Sequence, residues 1–175
     1  MSRKLLERLQ LVMGCEPQDL DTAGITGDYV SMKNYGRLLI VVQAGDGTAG
    51  SDLTVDLYQA TSVAGAGAKV LNCLETGRIY TKQAATFTLM QAVTAWTKET
   101  QATADEEWTD ATSGEQVNLW AFEVRAADLD VSNGFDCVRA DIADPGAAKI
   151  GALLYILGDP KYPAAPELMA SGIAD

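Results

Sequence analysis

The sequence predicts a mainly β protein: an antiparallel β-sandwich or jelly-roll-like domain with a short N-terminal helix and an extended C-terminal arm. Three strand-like runs carry that expectation, Val117 to Val124, Phe135 to Ile142 and Ile150 to Leu157, joined by turn chemistry at Ser132-Asn133-Gly134 and Asp144-Pro145-Gly146. Their succession reads as an antiparallel meander or Greek-key unit. The first run alternates strictly, with Trp120, Phe122 and Val124 on one face and Leu119, Ala121 and Glu123 on the other, so one face is built for a core.

Taken in order, Leu5, Leu9, Val12 and Met13 recur at helical spacing while Arg3, Lys4, Glu7 and Arg8 avoid the stripe, which predicts a short amphipathic helix ending at Gly14. A helix this short is marginal alone, so its stripe must pack on its own domain or on a neighbour. Pro17 and the segment from Asp19 to Gly27 read as a loop. Strand signals begin at Tyr29 and return from Arg37 to Gln43, with Lys33-Asn34-Tyr35-Gly36 as the turn between them. The glycine-rich stretch from Gly45 to Gly50 makes the next turn. Leu53, Val55 and Leu57 then alternate with Thr54, Asp56 and Tyr58 as a half-buried strand, and Ala64 to Ala68 separates it from Val70 to Leu74. A further strand is expected around Arg78 to Lys82.

From Lys98 to Gly114 the composition turns polar and acidic, neither period is sustained, and a long excursion is expected. The tail from Asp159 carries Pro160, Pro163 and Pro166, which donate no backbone hydrogen bonds and mark the end of the sheet. The organisation that follows is an N-terminal helix and arm at 1–27, a β-sandwich at 28–158 and a C-terminal arm at 159–175. At 175 residues the chain fits one domain with a real hydrophobic core.

Composition narrows the function. A hydrophobic content of 47% and a mean hydropathy of +0.01 exclude wholesale disorder. The longest apolar runs, Leu38 to Val42 and Ala152 to Leu157, fall far short of the roughly 20 residues that span a bilayer. The basic opening Met1-Ser2-Arg3-Lys4 is followed by charged residues rather than an apolar stretch, so no secretory signal is read and a cytoplasmic site of synthesis is expected. Cys15, Cys73 and Cys137 are scattered, which suits buried thiols better than a disulfide framework or a zinc site. A net charge of −11 repels nucleic acid phosphates and suits a protein that docks on a basic surface.

Catalytic chemistry is hard to assemble from these residues. The chain has no histidine, so histidine-based triads and metal schemes are unavailable. The Gly45 to Asp52 stretch echoes a phosphate-binding loop but has serine where the lysine should stand, and it leads into a strand. Gly65-Ala66-Gly67 lacks the third glycine and the βαβ setting of a dinucleotide site. Asp128, Asp130 and Asp136 miss the spacing of a calcium loop, and Asp128 reads as a local turn-former. Glu106 and Glu107 are adjacent in a solvated stretch, unlike paired glycosidase carboxylates. Trp96 and Trp120 are expected in the core, whereas Trp108 is either a plug for the end of the core or an anchor for a partner.

Three stretches also carry a family likeness: Asp28-Tyr29-Val30-Ser31-Met32-Lys33-Asn34-Tyr35 leading into Leu38 to Val42; Val55 to Thr61 with Gly65-Ala66-Gly67-Ala68-Lys69; and Leu129 to Val138. In their order they resemble small structural proteins of tailed bacteriophages and prophages, encoded in the head-gene region. The resemblance implies a virion protein, above all a capsid decoration or cementing protein, with no catalytic residues, cofactor or metal to transfer. It would sit on the capsid after a stage in the host cytoplasm. Its partners would be the major capsid protein and copies of itself, with neither nucleic acid nor membrane involved. The candidate partner-binding residues are Leu5, Leu9, Val12, Met13, Trp108, Tyr162 and Leu168. Two other readings stand beside this one: a neck or tail position in the virion, and a carbohydrate-binding module using Trp96, Trp108 and Tyr58 as stacking platforms.

Overall fold

A computed structural model of the protein describes residues 4–174, so residues 1–3, with the Arg3 of the expected helix, and the terminal Asp175 lie outside the described residues. The strands, in chain order, are β1 (Gln10–Asp19), β2 (Ile25–Thr26), β3 (Val30–Ser31), β4 (Tyr35–Ala44), β5 (Leu53–Ala60) and β6 (Lys69–Val70). They continue with β7 (Ile79–Ala84), β8 (Thr97–Lys98), β9 (Glu107–Asp110), β10 (Val117–Arg125), β11 (Cys137–Ile142) and β12 (Ile150–Pro160). One short helix, α1 (Phe87–Met90), follows β7 and is capped by the Thr86 side chain accepting from the Leu89 N–H.

The strands form two antiparallel sheets in a sandwich-like arrangement. The first runs β1-β12-β4-β10-β7-β8; the second runs β2-β11-β5-β6, with β3 also on β11 and β9 also on β5. The predicted mainly β class holds. The core lies between the sheets and is supplied by every second residue of the long strands. In register across the first sheet, Leu38, Ile40 and Val42 of β4 stand between Val124, Phe122 and Trp120 of β10 and Leu157, Tyr155 and Leu153 of β12. All nine are buried, against Leu53, Val55 and Leu57 of β5 and Val138, Ala140 and Ile142 of β11.

Tyr155 ties the two sheets together. Its hydroxyl accepts the Ala140 N–H at 2.9 Å, and burial pushes its pKa up. Its ring and hydroxyl lie where only glycine leaves room, since a Cβ on Gly14 would come within 2.7 Å of the ring and one on Gly27 within 2.7 Å of the hydroxyl.

Several expectations are corrected. The N-terminal stripe is not a helix: Leu5–Glu7 make one turn of 3-10 helix and β1 follows, paired with β12 from Gln10↔Leu157 onward. Helical and strand periods are hard to separate over so few residues, and the open edge of β12 supplies hydrogen bonds that an isolated helix of this length lacks. Pro17 falls inside β1, at the irregularity between Cys15 and Gln18, which an edge strand accommodates. The three long C-terminal runs are strands, with β11 starting two residues later than expected, but they do not form a meander. β10 and β12 flank β4, while β11 belongs to the other sheet. The acidic excursion is also partly ordered, because β9 pairs with β5 and places Trp108 in the core.

The tail leaves the sheet at Pro160 and folds back. Ser31 donates to the Gly172 carbonyl at 2.8 Å, the Tyr35 hydroxyl donates to the Ala170 carbonyl, and Met169 and Ala170 pack on the core. Tyr35 is thereby covered completely.

Candidate assembly surface

Strand alternation that fills the core also fixes what the first sheet shows on its other side. Those positions are apolar over most of the sheet. One row runs straight across five strands, Met13 on β1, Leu154 on β12, Val41 on β4, Ala121 on β10 and Tyr80 on β7. The next row begins Leu11, Ile156, Leu39 and ends at Glu123. A third holds Ala152, Gln43, Leu119 and Lys82. An antiparallel sheet with one solvated face ordinarily alternates apolar and polar residues. Here the middle of β4 and most of β12 are apolar on both faces, so the centre of the outer face is covered with hydrocarbon rather than with charge.

A hollow lies at each end of the face. At one end a groove of about 820 Å³ is walled by Leu5, Leu9, Leu39, Ile156 and Pro163, with Arg37, Glu123 and Asp159 at its polar side. At the other, a depression of about 440 Å³ lies among Leu119, Ala152, Phe87 and Met90. Exposed Phe87 and Leu89 of α1 and Ile150 of β12 extend the apolar surface there. The charges lie at the margins of the face: Arg37 binds Glu123 at 2.7 Å and Asp159 at 3.1 Å, and Arg125, Lys82 and Lys98 stand in register on the same side.

The outer face of the second sheet is the opposite in character. Asp141, Asp56 and Glu107 stand side by side in register on β11, β5 and β9. Burial, then Glu107 and Asp141, raises the Asp56 pKa; burial raises that of Asp141, against the opposing pull of Arg139. The Arg139 guanidinium lies 4.8 Å from the Tyr58 ring centre and 5.0 Å from that of Tyr29 and bonds Asp141 at 2.7 Å.

The family-like stretches meet at one corner of the sandwich. The Gln59 side chain accepts the Asp130 N–H at 2.9 Å, Lys69 bonds Asp130 at 2.6 Å, and the same ammonium sits 4.0 Å over the Phe135 ring. Lys69 first, then Asn133 and Ser132, hold the Asp130 carboxyl down to about 2. Gly134 closes the turn with a left-handed backbone, φ 83°. These residues fasten neighbouring loops of the fold. Asp128 likewise closes its own turn, accepting from the Arg125 N–H at 2.7 Å and from Arg78 in a forked pair.

The sequence-predicted partner residues are dispersed. Leu5 and Met13 are exposed, the first at the groove and the second on the apolar row; Leu9 is half-buried in the groove wall. Val12 points the other way and packs on the core, because adjacent strand residues take opposite faces. Trp108 is 7% exposed and belongs to the core, which corrects its place among the partner residues. Tyr162 and Leu168 are exposed on the returning tail. Trp96, expected in the core, is 44% exposed, with the Lys82 ammonium 5.1 Å from its ring centre, since its segment follows α1 outside the sandwich. With Trp108 buried and Tyr58 on the other sheet, the three rings proposed as a sugar platform do not share a surface. The sequence reading missed Val41, Leu154 and Leu39, yet the uninterrupted apolar runs at Leu38 to Val42 and Ala152 to Leu157 were the signal.

Among the described residues no group of three His, Cys, Asp or Glu is arranged to hold a metal ion. Cys73 and Cys137 are buried, and burial pushes the Cys73 thiol up to about 12, far from a reactive thiolate. No helix among the described residues is long and apolar enough to cross a membrane.

No protein-family model matches the chain, and no curated protein matches it. Among solved structures, the chain is similar to the prophage-derived protein YomS of SPBc2, at 9% identity and a TM-score of 0.41 over 86% of this chain and 93% of that one. It is also similar to infectious bursal virus derived T=1 particles, at 11% identity and a TM-score of 0.25 over 96% of this chain and 44% of that one. A third is the Gt strain of infectious bursal disease virus, at 11% identity and a TM-score of 0.24 over 96% of this chain and 45% of that one. Likenesses this remote assign neither a family nor a function.

Proposed function

We propose that the chain is a structural protein of a phage-type virion, a decoration or cementing protein that binds the assembled head in many copies and bridges neighbouring subunits. The observation that carries this reading is the apolar outer face of the first sheet, spread over five strands of a domain whose net charge is −11. Contiguous apolar surface on that scale marks an interaction site. Charge over the rest of the surface keeps the unassembled protein dispersed. The sequence likeness to phage head-region proteins points the same way, and the exposed Leu5, Tyr162 and Leu168 would add contacts at the rim. Each contact is modest, and symmetry multiplies it.

The test is reconstitution. Shells prepared without the protein are mixed with purified chain, sedimented, and the bound copies counted against the major capsid protein; reconstituted and bare shells are then heated. Binding near one copy per capsid subunit or per subunit cluster, with later rupture, is the expected result. A ring's worth of copies would instead favour a neck or tail position, and an absence of binding with unchanged rupture would remove the virion reading.

A further inference from the structure

We infer that the outer face of the first sheet is occupied by a second copy of this chain, in an isologous pair whose two-fold axis lies in the interface close to the direction of β4. This deepens the assembly reading and rests on the same apolar face, which the pair covers, so that the exposed Tyr162 and Leu168 of the tail are left to meet the shell.

Size is the first argument. Five strands about 4.8 Å apart and the five residues per strand that the three rows span, at roughly 3.3 Å each, give with side-chain flanks a patch near 25 by 20 Å. The exposed Leu5, Phe87, Leu89 and Ile150 at its ends extend it toward the roughly 800 Å² per copy of a standard stable interface.

Charge is the second. A copy with a net charge of −11 repels another, but on this face Glu123 is already neutralised by Arg37, and Asp159 is bonded to the same guanidinium. Two such faces meet without opposing bare carboxylates. The opposite sheet, with Asp141, Asp56 and Glu107 in one row, would repel its own copy.

Relief is the third. Rotation about an axis along β4 brings β12 of one copy over β10 of the other, so the bulky Leu154 lies over the small Ala121, and Met13 of β1 lies over Tyr80 of β7. Val41 meets its own equivalent on the axis, and at the charged end Arg37 does the same, each guanidinium held by Glu123 and Asp159 of its own copy. Sheets packed face to face at about 30° interdigitate in this way.

Scattering-based mass measurement on the purified chain tests the pair. The expected mass is twice 18.6 kDa and is held or strengthened as salt is raised, because salt screens the repulsion between acidic bodies. Val41→Asp should give monomers with an unchanged circular dichroism spectrum and a cooperative melting transition that no longer depends on protein concentration, whereas Asp56→Asn on the other sheet should leave the mass alone. Independently of any folding defect, Val41→Cys in a Cys15→Ser background should be joined into a covalent pair by a short bis-maleimide linker, because facing sheets stand about 10 Å apart, too far for a direct disulfide. Monomers of the native chain at 100 µM, a larger defined mass, a pair that survives Val41→Asp, or a pair in which Val41→Cys fails to cross-link would each overturn the inference. Sedimentation with shells separates the two readings: a monomer that still joins shells sinks the pair alone, while a pair that never joins them sinks the virion role alone.

Discussion

The Trp108 ring stands edge-on to Trp120, centres 4.6 Å apart and planes at 77°. One residue comes from β9 of the second sheet and the other from β10 of the first, so the contact spans the sandwich. Phe122 completes the cluster at 5.9 Å from Trp108. Trp108→Ala should therefore cost about 3–5 kcal/mol, in the same range as Phe122→Ala, because each empties a large volume in a packed core. Urea unfolding of the two variants checks this; an unchanged midpoint for Trp108→Ala would return that residue to the surface.

The carboxylate row makes stability depend on pH in a definite direction. The Asp56 pKa is raised in the folded protein by burial, then by Glu107 and Asp141, so the folded state holds its proton more tightly than the unfolded chain does. Its contribution is favourable below the ordinary value near 3.8 and is lost as pH rises from there through the raised folded value. Asp56→Asn should stabilise the protein at pH 7 by about 0.2–1 kcal/mol, the scale of an exposed cross-strand pair, and by nothing at pH 3. Melting curves at both values decide it, and equal shifts at the two would exclude a charge effect.

Arg78 holds Asp128 in a fork, Nη1 to Oδ2 at 2.5 Å and Nη2 to Oδ1 at 2.9 Å, with both side chains largely covered. Lysine keeps the charge but cannot make the two parallel bonds. Arg78→Lys should cost about 1–2 kcal/mol, a fraction of the range for hydrogen bonds to charged groups. Amide exchange should also quicken at Arg125, whose N–H is capped by the same Asp128 carboxylate. Exchange unchanged at Arg125 would separate the cap from the fork.

The returning tail covers Tyr35 and packs Gly172 onto Leu157, where an added Cβ would come within 2.4 Å of Leu157 Cδ1. Removing residues 163–175 should lower the melting temperature by several degrees, since it uncovers the Tyr35 ring and leaves the Ser31 N–H without its carbonyl. Removing residues 1–14 takes away half of β1 and should destabilise further, rather than yield an intact body lacking an arm. Differential scanning calorimetry of both truncations checks the pair; native-like transitions would restore the view of two dispensable arms.

The sequence by itself determined the strands and their two faces. Trp120, Phe122 and Val124 had to share a face because strand side chains repeat every two residues, and the turn residues at Ser132 to Gly134 and Asp144 to Gly146 marked where strands stop. The apolar outer face was also written there, in runs with no polar alternation at Leu38 to Val42 and Ala152 to Leu157, although such runs equally describe a strand buried on both sides. Only the tertiary structure decided which strands are neighbours: that β4 stands between β10 and β12, that β11 crosses to the other sheet, and that β9 carries Trp108 inward. Pairing is a choice among distant segments, set by how all the apolar faces can be covered at once, and local periodicity does not record it. The N-terminal segment shows this most plainly. Leu9 to Met13 satisfies a helical stripe and a strand nearly equally, and the unpaired edge of β12, more than a hundred residues away in the chain, made it a strand.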